Sequence, residues 1–175
     1  DLCVFGLFGP KSRDLIKTLS EDNFENDQFR FGFAKFITID GVKIWTQRLS
    51  YVGELGYELY VDLKDAKKIY ELLIEKGKDF NLSNCGMHAM DIMRMESGFL
   101  HWGHDISPEE NQYQAGLSFT ISSKKEVDFI GKQALEKIKQ DKVKTRFSMF
   151  TLKESEPGKP LLLHDEPIYD GDKII

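Results

Sequence analysis

The chain has 175 residues, enough for one domain with a real core and too few for most elaborate multidomain enzymes. Hydrophobic residues make up 41% and charged residues 30%, the balance of an ordinary folded protein and not of a disordered, collagen-like or membrane-spanning one. A formal net charge of -5 argues against nucleic acid as a partner, because phosphate binding leans on clustered Lys and Arg.

Leu2–Phe8 is apolar and reads as a strand, Gly9-Pro10 breaks it, and Ser12 is a candidate N-cap for a helix over about residues 13–19. A strand over 29–38 carries Phe29, Phe31, Phe33 and Phe36, with a phase change near Ala34 that allows a bulge. Asp40-Gly41 is a hairpin signal leading into a strand over 43–49. Residues 56–61 alternate cleanly: Tyr57, Leu59 and Val61 fall on one face, Glu58 and Tyr60 on the other. A helix over 65–76 follows from Ile69, Leu72 and Leu73, with Gly77 as its stop.

A second long helix, 85–97, distributes Met87, Met90, Ile92, Met93 and Met95 around itself and ends at Gly98. Strands and turns are expected over 115–122, a short helix over 132–140 and a strand over 146–152. From Glu154 the composition turns to Pro157, Pro160 and Pro167 with Gly158 and Gly171, the texture of an all-β module being entered. The fold class is therefore α+β, with mixed or antiparallel sheets and packed helices.

No apolar run approaches the roughly 20 residues a bilayer requires, and no signal peptide is visible, so no membrane partner is expected. Cys3 and Cys85 make no disulfide framework, and a reduced, cytoplasmic setting is the default. The chain opens inside the apolar run Leu2-Cys3-Val4-Phe5 and closes on Ile174-Ile175. Native ends are usually polar, so a piece of a longer protein is expected.

Several constellations fail as chemistry. Gly6 to Ser12 ends like a phosphate-binding loop, but its glycines are separated by two residues instead of four and Pro10 removes a backbone N–H. His101, His104 and Asp105 share a loop, and Cys85 and His88 share a helix face. Neither group fits a known finger or zincin spacing, and no metal is expected. Nothing marks Cys85 as an activated nucleophile.

The stretch from Arg48 to Tyr60 carries more. Gly53 and Gly56 bracket Glu54, and Glu58 projects from a strand between tyrosines. A carboxylate so flanked suits a planar ligand with adjacent N–H donors, its oxygens accepting the pair while the rings pack on the heterocycle. On pattern alone, Glu58 as a solvent-facing acid and Tyr51 as core remain open alternatives.

Ser50-Tyr51-Val52-Gly53-Glu54-Leu55-Gly56-Tyr57-Glu58-Leu59 resembles the signature of the aminomethyltransferase family, which includes the glycine cleavage T protein and the folate-binding portions of dimethylglycine and sarcosine dehydrogenases. The resemblance continues, in family order, through Gly9-Pro10-Lys11-Ser12, the run from Cys85 to Glu96, Phe99-Leu100-His101-Trp102-Gly103-His104-Asp105-Ile106, Ala115-Gly116-Leu117 and Asp128-Phe129-Ile130-Gly131-Lys132. The Val-Gly-Glu-Leu-Gly and His-Trp-Gly-His-Asp runs are more similar to the dehydrogenase branch.

The resemblance implies a T-protein-like folate-binding region over 1–140, incomplete at its N-terminus, and the start of a C-terminal β-barrel module over 141–175. It implies tetrahydrofolate as cofactor, with the pterin held by Tyr51 and Glu58, and Glu54, Arg94 and Phe99 as further cofactor-site residues. The position of a folate-binding family arginine falls on Met90; Arg94 matches a second arginine that serves structure in relatives or pairs with Asp91. The family's catalytic aspartate has no counterpart in this sequence, and FAD would belong to a domain further toward the N-terminus.

The implied activity is one-carbon transfer to folate, from a small N-methyl amine or an aminomethyl carrier protein. The location is the cytoplasm, or the mitochondrial matrix in a eukaryote. Alternatives with the same fold are a non-catalytic folate-binding protein of the iron-sulfur maintenance type and a sulfonium-to-folate methyltransferase.

Overall fold

A computed structural model describes residues 1–122, 127–141, 143–153, 156 and 166–175. The chain divides into two compact units, Asp1–Glu110 and Asn111–Ile175.

In the first unit four strands, β1 (Leu2–Phe8), β2 (Ala34–Ile39), β3 (Val42–Gln47) and β4 (Gly56–Asp62), form an antiparallel sheet in the order β1-β4-β3-β2. Three helices accompany it, α1 (Ser12–Lys17), α2 (Leu63–Gly77) and α3 (Met87–Glu96). The alternation in β4 is realised as expected: Tyr57, Leu59 and Val61 are fully buried while Glu58 and Tyr60 are half-buried on the opposite face. Ile37, Ile39, Ile44 and Leu7 join the buried face, and Leu15 and Ile16 of α1 with Ile69 and Leu73 of α2 close the core over it. Phe24 and Phe29 pack on Tyr57 with ring centroids 5.6 and 5.7 Å away.

The other sheet face is arranged in rows fixed by register. Val4, Tyr60, Trp45 and Phe36 oppose one another across all four strands. The next row is Gly6, Glu58, Gln47 and Ala34. Val4, Phe36 and Trp45 are exposed, and Phe36 meets Trp45 edge to face at 4.9 Å. The Phe8 ring lies over the two glycines beside Glu58: a Cβ on Gly6 would come within 2.6 Å of it and one on Gly56 within 2.3 Å.

Several local expectations are corrected. The strand containing four phenylalanines starts only at Ala34, where the phase changes, because Gly32 takes φ +78 and the chain turns from Arg30 to Phe33. Phe29 is therefore core, whereas Phe31 and Phe33 are exposed. Ser12 does not cap α1; it is buried, and its hydroxyl donates to the Leu55 carbonyl at 3.1 Å. α2 does end at Gly77, but Gly77 is itself helical at φ -62 and is no left-handed cap. The chain continues through a 3-10 turn, Lys78–Phe80, to Asn81 in the left-handed region at φ 59, and Gly77 instead makes room for Leu82, which a Cβ would meet at 2.4 Å. The Asp40-Gly41 hairpin is realised with both residues at positive φ, 45 and 79, the backbone a two-residue turn needs to match strand twist.

The second unit holds a 3-10 turn (Ser118–Thr120) where strands and turns were expected, and helix α4 (Lys132–Asp141). A two-stranded ribbon of β5 (Tyr169–Asp170) and β6 (Lys173–Ile174) closes the chain. Residues 146–152 form no strand; Phe147 instead donates its N–H to the Gln114 carbonyl at 2.8 Å. Most of the proline-rich stretch read as the entry to a β module, including Pro157, Pro160 and Leu161 to Leu163, lies outside the described residues.

Candidate functional site

The segment between β3 and β4 is anchored at both ends of its irregular course. The Leu55 carbonyl accepts from the Gly9 N–H at 2.8 Å and from the Ser12 hydroxyl at 3.1 Å. The Val52 carbonyl accepts from the Ser97 hydroxyl at 3.0 Å, just beyond α3. Gly53 takes φ +77, which only a glycine adopts without strain, and its missing Cβ is what lets Ser97 approach. The loop bearing Tyr51 and Glu54 is thus joined to the Gly9-Pro10 turn on one side and to the C-terminal end of α3 on the other.

Tyr51 and Phe99 are brought together. Their rings stack with centroids 6.5 Å apart and planes 20° apart, and the Tyr51 hydroxyl lies 3.4 Å from the Leu100 carbonyl it donates to. Arg94 underlies this pair. It is the one buried residue of α3, while Met87, Ile92 and Met95 of the same helix are exposed. Its guanidinium donates to Asp91 at 3.1 Å, to the Phe99 carbonyl at 3.1 Å and to Asp105. Asp105 also accepts the His101 N–H at 2.8 Å, so one ion pair pins the 99–105 turn to the helix. Burial disfavours the charged guanidinium, but hydrogen bonds to Asp105 and Asp91 outweigh it and hold Arg94 above the ordinary arginine value.

Glu58 stands apart from this group. The Tyr60 hydroxyl donates to its Oε2 at 2.7 Å, and no cation pairs with it among the described residues. The hydrogen bond to Glu58, then burial and the carboxylate's charge, raise the Tyr60 hydroxyl above its ordinary value, as expected beside an ionised acid. No hydrogen bond or ring contact joins Glu58 to Tyr51 or Phe99 among the described residues. Glu54 is exposed on the loop between them, and Met90 is half-buried on α3.

Tyr60 was not among the expected site residues. The signal that could have found it is the i, i+2 spacing, which places a phenol beside Glu58 on one strand face. His101 and His104 lie with ring centroids 4.9 Å apart, but no group of three or more metal-ligating side chains gathers among the described residues.

The GCVT N-terminal domain family model matches residues 1–125. This chain belongs to that family. The chain is 38% identical over 168 residues to a 4-methylaminobutanoate oxidase (formaldehyde-forming) of Paenarthrobacter nicotinovorans, covering 96% of this chain and 20% of that protein. It is 34% identical over 152 residues to the human mitochondrial dimethylglycine dehydrogenase, covering 87% of this chain and 18% of the relative. It is also 35% identical over 174 residues to the aminomethyltransferase of Alkaliphilus metalliredigens, covering 99% of this chain and 46% of the relative. The chain therefore spans less than half the length of these curated relatives. No helix among its described residues is long and apolar enough to cross a membrane.

Proposed function

We propose that this GCVT-family chain binds tetrahydrofolate and serves one-carbon transfer within a larger enzyme of the dimethylglycine/sarcosine dehydrogenase or aminomethyltransferase type. The observation that carries the reading is Glu58, an acid on the open sheet face with one oxygen held by Tyr60 and no cation partner. An acceptor-only carboxylate of this kind fits the adjacent N–H donors of a pterin. Tyr51 and Phe99 offer the stacked rings that a flat heterocycle packs against, and Glu54 adds an exposed acceptor on the same loop.

Arg94 acts through Phe99 and the 99–105 turn: its Nε is engaged by Asp91 and its Nη1 by Asp105 and the Phe99 carbonyl. Bound tetrahydrofolate supplies the nitrogen that takes up the carbon unit. The chain's own residues bind and orient it, which is where a protein contributes in such chemistry. The donor is an N-methyl amine or an aminomethyl carrier protein. FAD and the residue that moves protons are assigned to parts of the enzyme beyond this sequence. A T-protein-like fold over 1–140, the start of a β-barrel module over 141–175, and a cytoplasmic or mitochondrial-matrix location belong to the same proposal.

The test is tetrahydrofolate affinity of the full-length protein before and after Glu58→Gln, which removes the charge and keeps the size. A loss of about ten- to a hundredfold is expected for a hydrogen bond to a charged acceptor. Unchanged affinity would overturn the assignment.

A further inference from the structure

We infer that Tyr60 is a positioning residue for the ligand-binding carboxylate: its hydroxyl fixes the plane of Glu58 on the open sheet face and thereby decides which lone pairs are left for a ligand. This rests on the folate reading of Glu58 and adds to it a residue that does not itself contact the pterin.

The terminal torsion of a glutamate is broad, so an unheld carboxylate on a sheet surface samples many planes. Here the Tyr60 hydroxyl donates to Oε2 at 2.7 Å and is the carboxylate's sole hydrogen-bond partner among the described residues. Strand geometry makes the contact local and durable, because Glu58 and Tyr60 are two residues apart on β4 and so project from the same face. The remaining neighbours do not compete: Gly6, opposite Glu58 on β1, has no side chain, and Gln47, opposite on β3, makes no hydrogen bond to it.

Tyr60 faces Trp45 across the β3–β4 pair, and Trp45 meets Phe36 edge to face at 4.9 Å. With Oε2 engaged, Oε1 keeps both its lone pairs and Oε2 keeps one, in a plane set before a ligand arrives. Such preorganisation removes an ordering cost that the ligand would otherwise meet on binding. A phenylalanine at this position would keep the ring and release the carboxylate.

The experiment measures tetrahydrofolate affinity in the full-length protein for the wild type, Glu58→Gln, Tyr60→Phe and the double variant. Tyr60→Phe is expected to weaken binding about two- to tenfold, the ordering cost of one side chain immobilised on binding. The double variant should bind no more weakly than Glu58→Gln alone, since Tyr60 acts only through Glu58.

If Glu58→Gln weakens binding while Tyr60→Phe binds as the wild type, or if the two losses multiply, the positioning role is overturned and the folate reading stands. If Glu58→Gln leaves affinity unchanged, both fall together. An ultraviolet titration of the tyrosines gives a readout independent of ligand. One tyrosine should titrate above the usual value in the wild type and move back toward it in Glu58→Gln, and no such movement would overturn the coupling.

Discussion

Substituting Gly53 by alanine is the sharpest probe of how the Tyr51 loop is held. At φ +77 a side chain is strained, and an ideal Cβ would lie 2.1 Å from the Ser97 Oγ and 2.6 Å from the Ser97 Cβ. The backbone strain costs about 1–2 kcal/mol. Ser97 must also give way, and with it goes the 3.0 Å hydrogen bond to the Val52 carbonyl, worth about 1 kcal/mol. Gly53→Ala is therefore expected to destabilise the protein by about 2–3 kcal/mol, read from the urea midpoint at unchanged slope.

In the background of Ser97→Gly the steric part disappears, and Gly53→Ala should then cost only the backbone strain of about 1–2 kcal/mol. The same substitution should weaken tetrahydrofolate binding, because Tyr51 and Phe99 lie on the two segments that Ser97 joins. A Gly53→Ala variant within about 0.5 kcal/mol of the wild type, the range of an ordinary surface change, would refute the account of this junction.

Two further outcomes follow from the packing. Asp105→Asn removes the charge that Arg94 shares between helix and turn, and should cost about 1.5–3 kcal/mol in chemical unfolding. It should exceed Asp91→Asn, since the Asp91 side chain is 39% exposed against 23% for Asp105. Tyr57→Ala should cost about 3–5 kcal/mol in the same assay, as for other large aromatic truncations in a core. Tyr57→Phe should lose only the 3.3 Å hydrogen bond from Arg13, about 1 kcal/mol or less.

What was legible in the sequence was whatever depends on near neighbours. The alternation of β4, the Asp40-Gly41 turn and α2 each follow from spacing within a few residues, and each is realised. The role of Ser12 was not legible, because its partner Leu55 is 43 positions away and the same serine is equally at home as a cap. The reason for a glycine at 77, where α2 ends, was hidden in a related way: the Leu82 side chain that requires it folds back from beyond the helix.

The four phenylalanines around the start of β2 suggested one continuous strand, whereas a turn at Gly32 splits them between core and surface. On α3 the usual polarity is inverted, with a buried arginine and exposed methionines, so hydrophobic patterning said nothing of what holds that helix. At the candidate site Glu58 could be placed on a strand face from its own neighbours, and its hydroxyl partner was two residues away in plain view. The pairing of Tyr51 with Phe99 joins two distant segments, and no local pattern announces it.

The two hydrogen bonds that meet at the Leu55 carbonyl have a consequence for chain length. Because side chains alternate along a strand, whether an acid or a tyrosine faces outward is a matter of odd or even count from a fixed point, and Leu55 supplies that point for β4. Deleting or inserting one residue between Leu55 and Tyr57 would exchange their sides, driving the Glu58 carboxylate into the core and exposing Tyr57. Two residues would restore the side and misplace the acid along the strand. The segment is thus intolerant of indels for a geometric reason, even though loops ordinarily absorb them, and engineered changes of length belong before Tyr51.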